Sequence, residues 1–256
     1  MAKNGCILSV VSRKGTEALN AFFNALINGF LKWIGKLNKT FIETEYYELL
    51  IEGLWNTVQI TLGALVIGVL IGMIIAVAKY LAEDMPALQP LAWLCDTYVT
   101  VIRGIPIVVL LLIFYFIIMR STTNGVLVAV ITFGINSGAY MAELIRSGIN
   151  AVDFGQMEAA RSLGMSRIQA MKEIIMPQAV RYVLPAVGNE FIALLKETSV
   201  AGYVAVVDIT RAGNLIRNNT YDAVNPLMVV AIFYLIMVIG LTALLRKLEQ
   251  KLSTGK

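Results

Sequence analysis

Histidine is absent from all 256 residues, and only two cysteines, Cys6 and Cys95, are present. Without imidazole, Ser-His-Asp and Cys-His catalysis are excluded, and most transition-metal sites lose their usual ligand. Two cysteines so far apart cannot build a disulfide framework. Charge is also scarce: Asp, Glu, Lys and Arg make up 15% of the chain, against about 25% in an ordinary soluble domain. Apolar residues fill the difference. They reach 58% with a mean hydropathy of +0.74, which excludes both disorder and an ordinary cytosolic globule. In so apolar a chain, a net charge of +4 points to basic loops beside a membrane rather than to nucleic acid. Gly5-Cys6 has the look of a lipoprotein cleavage site. No apolar run precedes it, and no cleavable secretory signal is expected.

A membrane-crossing helix needs about 20 mostly apolar residues. Residues 54–78 qualify without a single charge. Residues 88–119 read as one arm, with a shorter helix, a break at Arg103-Gly104-Ile105-Pro106 and then a continuing helix. Residues 125–145 form a third span and 178–195 a fourth, the most polar. Residues 226–245 form a fifth, with Pro226 suited to its first turn. The expected fold class is an all-α integral membrane protein of about five transmembrane helices, with 51–250 as its membrane domain and 251–256 as a tail. In the first span, Thr57, Thr61, Ala64, Gly68, Gly72 and Ala76 make a small-residue stripe that reads as a packing face. Trp33, Trp55 and Trp93 fall near expected interfaces.

Residues 146–181 hold Arg146, Arg161, Arg167, Lys172 and Arg181 against three acidic residues, and 246–256 hold four basic residues against one. Two spans separate these segments, so they share a side, and their positive charge makes that side cytoplasmic. Residues 200–225 are then external, balancing Asp208 and Asp222 against Arg211 and Arg217. Five spans would put the N-terminus outside, yet residues 1–40 carry six basic residues and one Glu, which looks cytoplasmic. Within residues 1–50, positions 18–34 show apolar side chains near helical spacing, interleaved with Asn20, Asn24 and Asn28. That pattern reads as a helix lying on the membrane more than as a sixth span or disorder.

The segment at about 150–177 is the most informative. Glu158-Ala159-Ala160 suits helix, Gly164 permits a helix end, and Ser166 can cap a second helix running until the approach to Pro177. Two short helices joined at a glycine make a compact knob without a catalytic group, so its use would be docking, unless it is only a connector. The pattern of Glu-Ala-Ala, three residues, Gly, nine residues, Ile, one residue, Met176-Pro177 resembles the EAA loop of ABC-importer permeases, with Met176 where Leu is usual. That exchange conserves volume. Arg103-Gly104-Ile105-Pro106, Ile135-Asn136-Ser137-Gly138-Ala139-Tyr140-Met141-Ala142-Glu143, Pro177-Gln178-Ala179 and Gly188-Asn189-Glu190-Phe191-Ile192 are similar to the polar amino-acid subfamily, the histidine, glutamine and arginine permease type. The resemblance covers about residues 50–250.

The resemblance implies a permease subunit in a bacterial cytoplasmic membrane, paired with a second identical or homologous permease. It further implies a cytoplasmic ABC ATPase, which would bind ATP and Mg, and an external solute-binding protein. Glu158, Ala159, Ala160, Gly164 and Pro177 would belong to the segment that couples to the ATPase. No Gly-x-x-x-x-Gly-Lys-Ser/Thr phosphate loop occurs in the chain, and neither a cofactor nor a metal site is expected in it.

Asn189 and Glu190 fall near the middle of the fourth span, after Pro185 and Gly188. A charged side chain at membrane depth costs at least ~2.5 kcal/mol and marks a functional candidate. Asn189 and Lys196 share a helix face, as do Glu190 and Glu197. Thr132, Asn136, Tyr140 and Glu143 form a stripe on the third span. Two polar stripes on adjacent spans can enclose a path for a zwitterion, with Asn136, Ser137, Tyr140, Asn189 and Glu190 as the candidate lining. The same residues can instead serve helix packing, Glu190 through an ion pair and the stripe through interhelical hydrogen bonds. A secondary transporter or channel using Glu190, and less readily an intramembrane enzyme, are the competing functional readings.

Overall fold

The structure, a computed structural model, describes residues 24–29 and 31–253. The chain divides into two compact units, Met1–Leu49 and Leu50–Lys256. In the first, residues 24–29 and 31–37 are helical and a π turn follows at Asn38–Ile42. Leu26, Ile27 and Leu31 are exposed there. Positions 18–23 and 30 of the expected surface helix lie outside the described residues, as does Cys6. Among the described residues every regular element is helical.

Helix α1, Tyr46–Asp84, meets no proline along its length. At about 1.5 Å per residue it is roughly 58 Å long, about twice a hydrocarbon core. It stops because Pro86 forces Met85 into an extended conformation (φ −122°, ψ 97°). After a short 3₁₀ turn, α2 runs over Gln89–Gly104. Pro106 then holds Ile105 extended in the same way (φ −99°, ψ 129°). The chain re-enters helix as α3, Ile107–Ile113, and closes with a π turn at Phe114–Ile118.

The break therefore lies where the sequence puts it, but the helix after it does not continue the first. The two pieces bend by 106°, so 86–118 is a broken span or a re-entrant loop rather than one arm. The pattern of breakers marks the residue at which direction changes. The angle is decided by what each half packs on. Tyr98 of α2 donates its hydroxyl to the carbonyl of Ile135, while Leu111 of α3 enters the central core.

Helix α4, Gly125–Asn150, is capped by Asn124, whose side chain accepts the amide of Leu127 at 3.0 Å. Short α5, Phe154–Ser162, and α6, Arg167–Ala170, follow. A π turn at Met171–Ile175 leads into α7, Met176–Glu197. The second knob helix does not stop near Pro177 as expected. The amide of Met176 bonds the carbonyl of Met171, widening the turn just where Pro177 has no N–H to give, and the proline fits the first turn of α7. A 3₁₀ segment, Thr198–Val204, then α8, Ile209–Thr220, and α9, Asn225–Ser253, complete the fold.

Among the described residues, α1, α4 and α9 are long and apolar enough to cross a membrane, and the bent α2–α3 pair can count as a fourth. Helix α7 has 22 residues, but Arg181, Asn189, Glu190, Lys196 and Glu197 keep it below that standard. It makes its way beside α4 and α9, with Gly188 closely backed by Leu245 of α9. Trp55 and Trp93 are exposed, as interfacial anchors are.

α1 and α4 meet through reciprocal glycines. A Cβ on Gly68 would stand 2.8 Å from the Ser137 hydroxyl oxygen, and one on Gly72 would stand 2.5 Å from the Met141 Cβ. From the other side, Gly134 and Gly138 receive Ile67 and Ile71, each at 2.7 Å. Thr57, Thr61 and Ala64 are buried on the same stripe. Ile60, Ala64, Leu111, Ala129, Phe133 and Leu194 form the central core, joining α1, α3, α4 and α7. Leucine at position 72 should overpack this seam by on the order of 1–3 kcal/mol. The thermal midpoint of the purified Gly72→Leu protein should therefore fall, whereas Gly240→Leu, where nothing lies within 4 Å, should leave it near wild type. Equal midpoints for the two variants would show that α1 and α4 do not touch there.

Candidate functional site

The fold brings one polar cluster to the α4–α7 contact. Ser137, fully buried, donates its hydroxyl to Glu190 Oε1 at 3.3 Å. Asn136 beside it is buried as well. One turn further along α4, the half-buried Tyr140 carries the Arg103 guanidinium over its ring, 5.0 Å from the centroid. Arg103 stands in the last turn of α2, immediately before the break, on the helix whose Tyr98 already bonds α4. Arg103 is a residue that sequence reasoning missed. Its signal was available, because a lone charge directly before a break in an apolar arm has nowhere to go but a polar partner.

The remaining candidates divide by face. Glu190 and Glu197 are half-buried while Asn189 and Lys196 are exposed, so the spacing of seven does put each pair on one side of α7. Asn189 therefore faces away from the Ser137 contact. The stripe on α4 also divides. Thr132 is buried and returns its hydroxyl to the carbonyl of Val128, and Glu143 pairs with Arg146 on its own helix.

The knob is built from local signals. Gly164 takes the left-handed conformation (φ 88°). The amides of Gly164 and Met165 then bond the carbonyls of Arg161 and Ala160 at 3.0 and 3.2 Å, closing α5 in a Schellman turn. Ser166 opens α6 with a full capping box, exchanging bonds with Gln169. A small core of Val152, Ile175 and Ala179, with Met157 and Met171 packed on it, fastens the knob to the ends of α4 and α7. Ala160 is buried, and Glu158, Ala159 and Pro177 are exposed. Phe154, Leu163 and Ile168 are also uncovered, Leu163 to 85%. An apolar surface presented this way by a charged loop suits docking.

At the opposite end, Asp208 caps α8. It is fully buried, and its carboxylate accepts the amides of Thr210 and Arg211 at 2.8 and 3.3 Å. Thr57 of α1 accepts the amide of Ile209 at 3.2 Å, and Asn56 donates to the carbonyl of Val207 at 2.9 Å. Asp208, Thr210, Arg211, Asn214 and Tyr203 border a cleft of about 580 Å³. Burial pushes the Asp208 carboxyl up to about 6, against the lowering pull of its backbone donors. Charge balance alone treats this residue as one of several loop charges. Its position before Ile209-Thr210 was the overlooked sign of a cap. Among the described residues, no three Cys, Asp or Glu side chains gather as a metal site.

A bundle of this topology, with a polar cluster between α4 and α7 and a docking knob, is that of a membrane transport component. Residues 68–254 match the family described as binding-protein-dependent transport system inner membrane component. The chain belongs to this family, whose members are permease subunits rather than enzymes, with ATP hydrolysis assigned to a separate polypeptide. It is 33% identical over 209 residues to the arginine transport system permease protein ArtQ of Bacillus subtilis, covering 80% of this chain and 93% of that one. It is 34% identical over 206 residues to a putative glutamine transport system permease protein of Rickettsia prowazekii, covering 79% and 92%. The solved structure of an amino acid ABC transporter with histidines superposes with a TM-score of 0.75 at 40% identity, over 82% of this chain and 96% of the other. The MetNI methionine ABC transporter, in an inward-facing conformation, shares the fold with a TM-score of 0.68 at 20% identity, over 80% and 97%.

Asp208 yields a test of the opposite end. Its carboxyl titrates at about 6 in the folded protein, above its ordinary value of 3.8. The folded state therefore holds the proton more tightly, and the stability it lends is complete below about pH 3.8 and is lost as pH rises through about 6. The Asp208→Asn protein keeps a good cap but cannot titrate. As pH rises from about 3.8 to about 6, the thermal midpoint of wild type should fall relative to that variant, and level off above. A difference independent of pH would place the carboxylate in water.

Proposed function

We propose that this permease imports polar amino acids across a bacterial cytoplasmic membrane, with Asn136, Ser137, Tyr140, Asn189 and Glu190 on the substrate path and Arg103 beside them. The observation that carries this reading is the Ser137–Glu190 contact with Arg103 lying over Tyr140. It sets a carboxylate on α7 and a guanidinium on α2, both against α4. An α-amino acid carries an ammonium and a carboxylate, and each finds its complement there. The names of the relatives, arginine and glutamine permeases, support the same class of substrate. Asn189, exposed on the other face, would meet substrate only from a second permease or in another state of the cycle.

Family membership favours ATP-driven import over a secondary transporter or channel. In this reading a cytoplasmic ABC ATPase binds ATP and Mg and docks on α5–α6 through Glu158, Ala159, Ala160 and the exposed Phe154, Leu163 and Ile168. Gly164 and Pro177 set the geometry of that segment. An external solute-binding protein delivers substrate at the α8 end, a second permease completes the pathway, and residues 1–50 supply an amphipathic segment at the membrane surface. The knob end is then cytoplasmic, in keeping with its basic residues.

Two variants in proteoliposomes test the two halves. Glu190→Gln keeps shape and removes charge. Loss of a charged hydrogen bond to a substrate ammonium should lower uptake per assembled complex by about tenfold or more. Unchanged rate and affinity would remove Glu190 from the path. Gly164→Val meets no neighbour, so its whole cost is the left-handed backbone, about 1–2 kcal/mol. It should insert normally yet lose substrate-stimulated ATP hydrolysis, and normal hydrolysis and uptake would remove the knob from coupling.

A further inference from the structure

From Arg167 the chain is helical without interruption to Glu197, through α6, the π turn and α7. At about 1.5 Å per residue this rod measures roughly 45 Å along its axis, with a π turn and Pro185 inside it. It carries the second knob helix at its foot and Glu190 toward its other end. Partway along, the rod touches α4 where Ser137 bonds Glu190, and α1 leans on the same Ser137 at Gly68.

The foot is different. There α1 and the knob face each other across an open cleft of about 700 Å³, bordered by Tyr80, Glu83, Asn150, Phe154, Met157 and Met171. Arg167 spans it. Its guanidinium lies 4.8 Å from the centroid of the Tyr80 ring and pairs with the carboxylate of Glu83, while the Tyr80 hydroxyl donates to the Arg167 carbonyl at 3.4 Å. Tyr80 and Glu83 are three residues apart, so they share one face of α1. A mostly exposed ion pair adds little to stability. A planar guanidinium held between an aromatic face and a carboxylate does fix direction, which a lysine ammonium would not.

We propose that Arg167 is a positioning residue of the transport cycle: by bridging to Tyr80 and Glu83 it fastens the foot of the α6–α7 rod to α1, so that displacement of the knob carries α1 and α7 together on either side of Ser137. This rests on reading α5–α6 as the segment on which an ATPase acts. If the rod moved alone, Glu190 would shift against Ser137 while α1 stayed behind. With the clamp closed, the two helices flanking α4 move as a pair.

The test is a charge swap in the full complex, reconstituted with its ATPase and binding protein, with arginine and glutamine each offered as substrate. Uptake per ATP hydrolysed is measured per assembled complex, a ratio that a purely structural role would not move. Arg167→Glu and Glu83→Arg should each lower it by roughly fivefold, and the double swap should recover it to within about twofold. Arg167→Lys, which keeps the charge and loses the fork, should fall between. Single variants with a wild-type ratio, or a double swap no better than the singles, would overturn the clamp. A wild-type complex with no substrate-stimulated hydrolysis would overturn the coupling reading and the clamp with it. Should the reversals fail to assemble, Glu83→Cys and Arg167→Cys, in a background of Cys6→Ser and Cys95→Ser, are joined by a short bismaleimide. A clamp that stays closed through the cycle predicts undiminished uptake after joining, and loss of uptake on joining would refute it.

Discussion

The seam between α1 and α4 sets the distance at which the rest of the molecule is built. In a membrane, helices gain little by hiding apolar surface from one another, so close approach and dispersion have to hold them. Here the approach is made from both sides. Gly68 and Gly72 admit Ser137 and Met141, and Gly134 and Gly138 admit Ile67 and Ile71. With the two axes so near, the Ser137 hydroxyl oxygen lies against Gly68, which has no side chain to accept its proton. The hydroxyl is left to α7, where Glu190 receives it.

Among the described residues, no buried side-chain polar atom is left without a partner. Arg103 lies on an aromatic face at the break in the second arm, and Asp208 is enclosed by the amides it caps. The first stands just before a proline-directed bend and the second at a helix start. Both put charge where the surrounding apolar helices would not otherwise keep it, and both occupy places where the backbone changes direction.

Local features were legible in the sequence because they need only a few neighbouring residues. Gly164 ends α5 in the left-handed turn its position suggests, Ser166 opens α6 with Gln169 as partner, and the stripe from Thr57 to Gly72 is buried. What the sequence left open depended on partners distant along the chain. The 106° bend needed α4 and the core to choose it. Pro177 looked like a stop because a proline usually ends a helix from behind, yet a π turn absorbed its missing donor. Arg103 and Asp208 looked like a breaker and a loop charge until α4 and α1 stood opposite them. Helix α7 was legible as a helix, and its polarity is accommodated by the neighbours it packs between.

The uncovered side chains of the knob have a meaning for how the protein is produced. Phe154, Leu163 and Ile168 are large apolar side chains that no described residue covers. A subunit made in excess of whatever covers them stays sticky, open to aggregation and to proteolytic clearance. Synthesis matched to that of whatever covers these side chains removes the hazard.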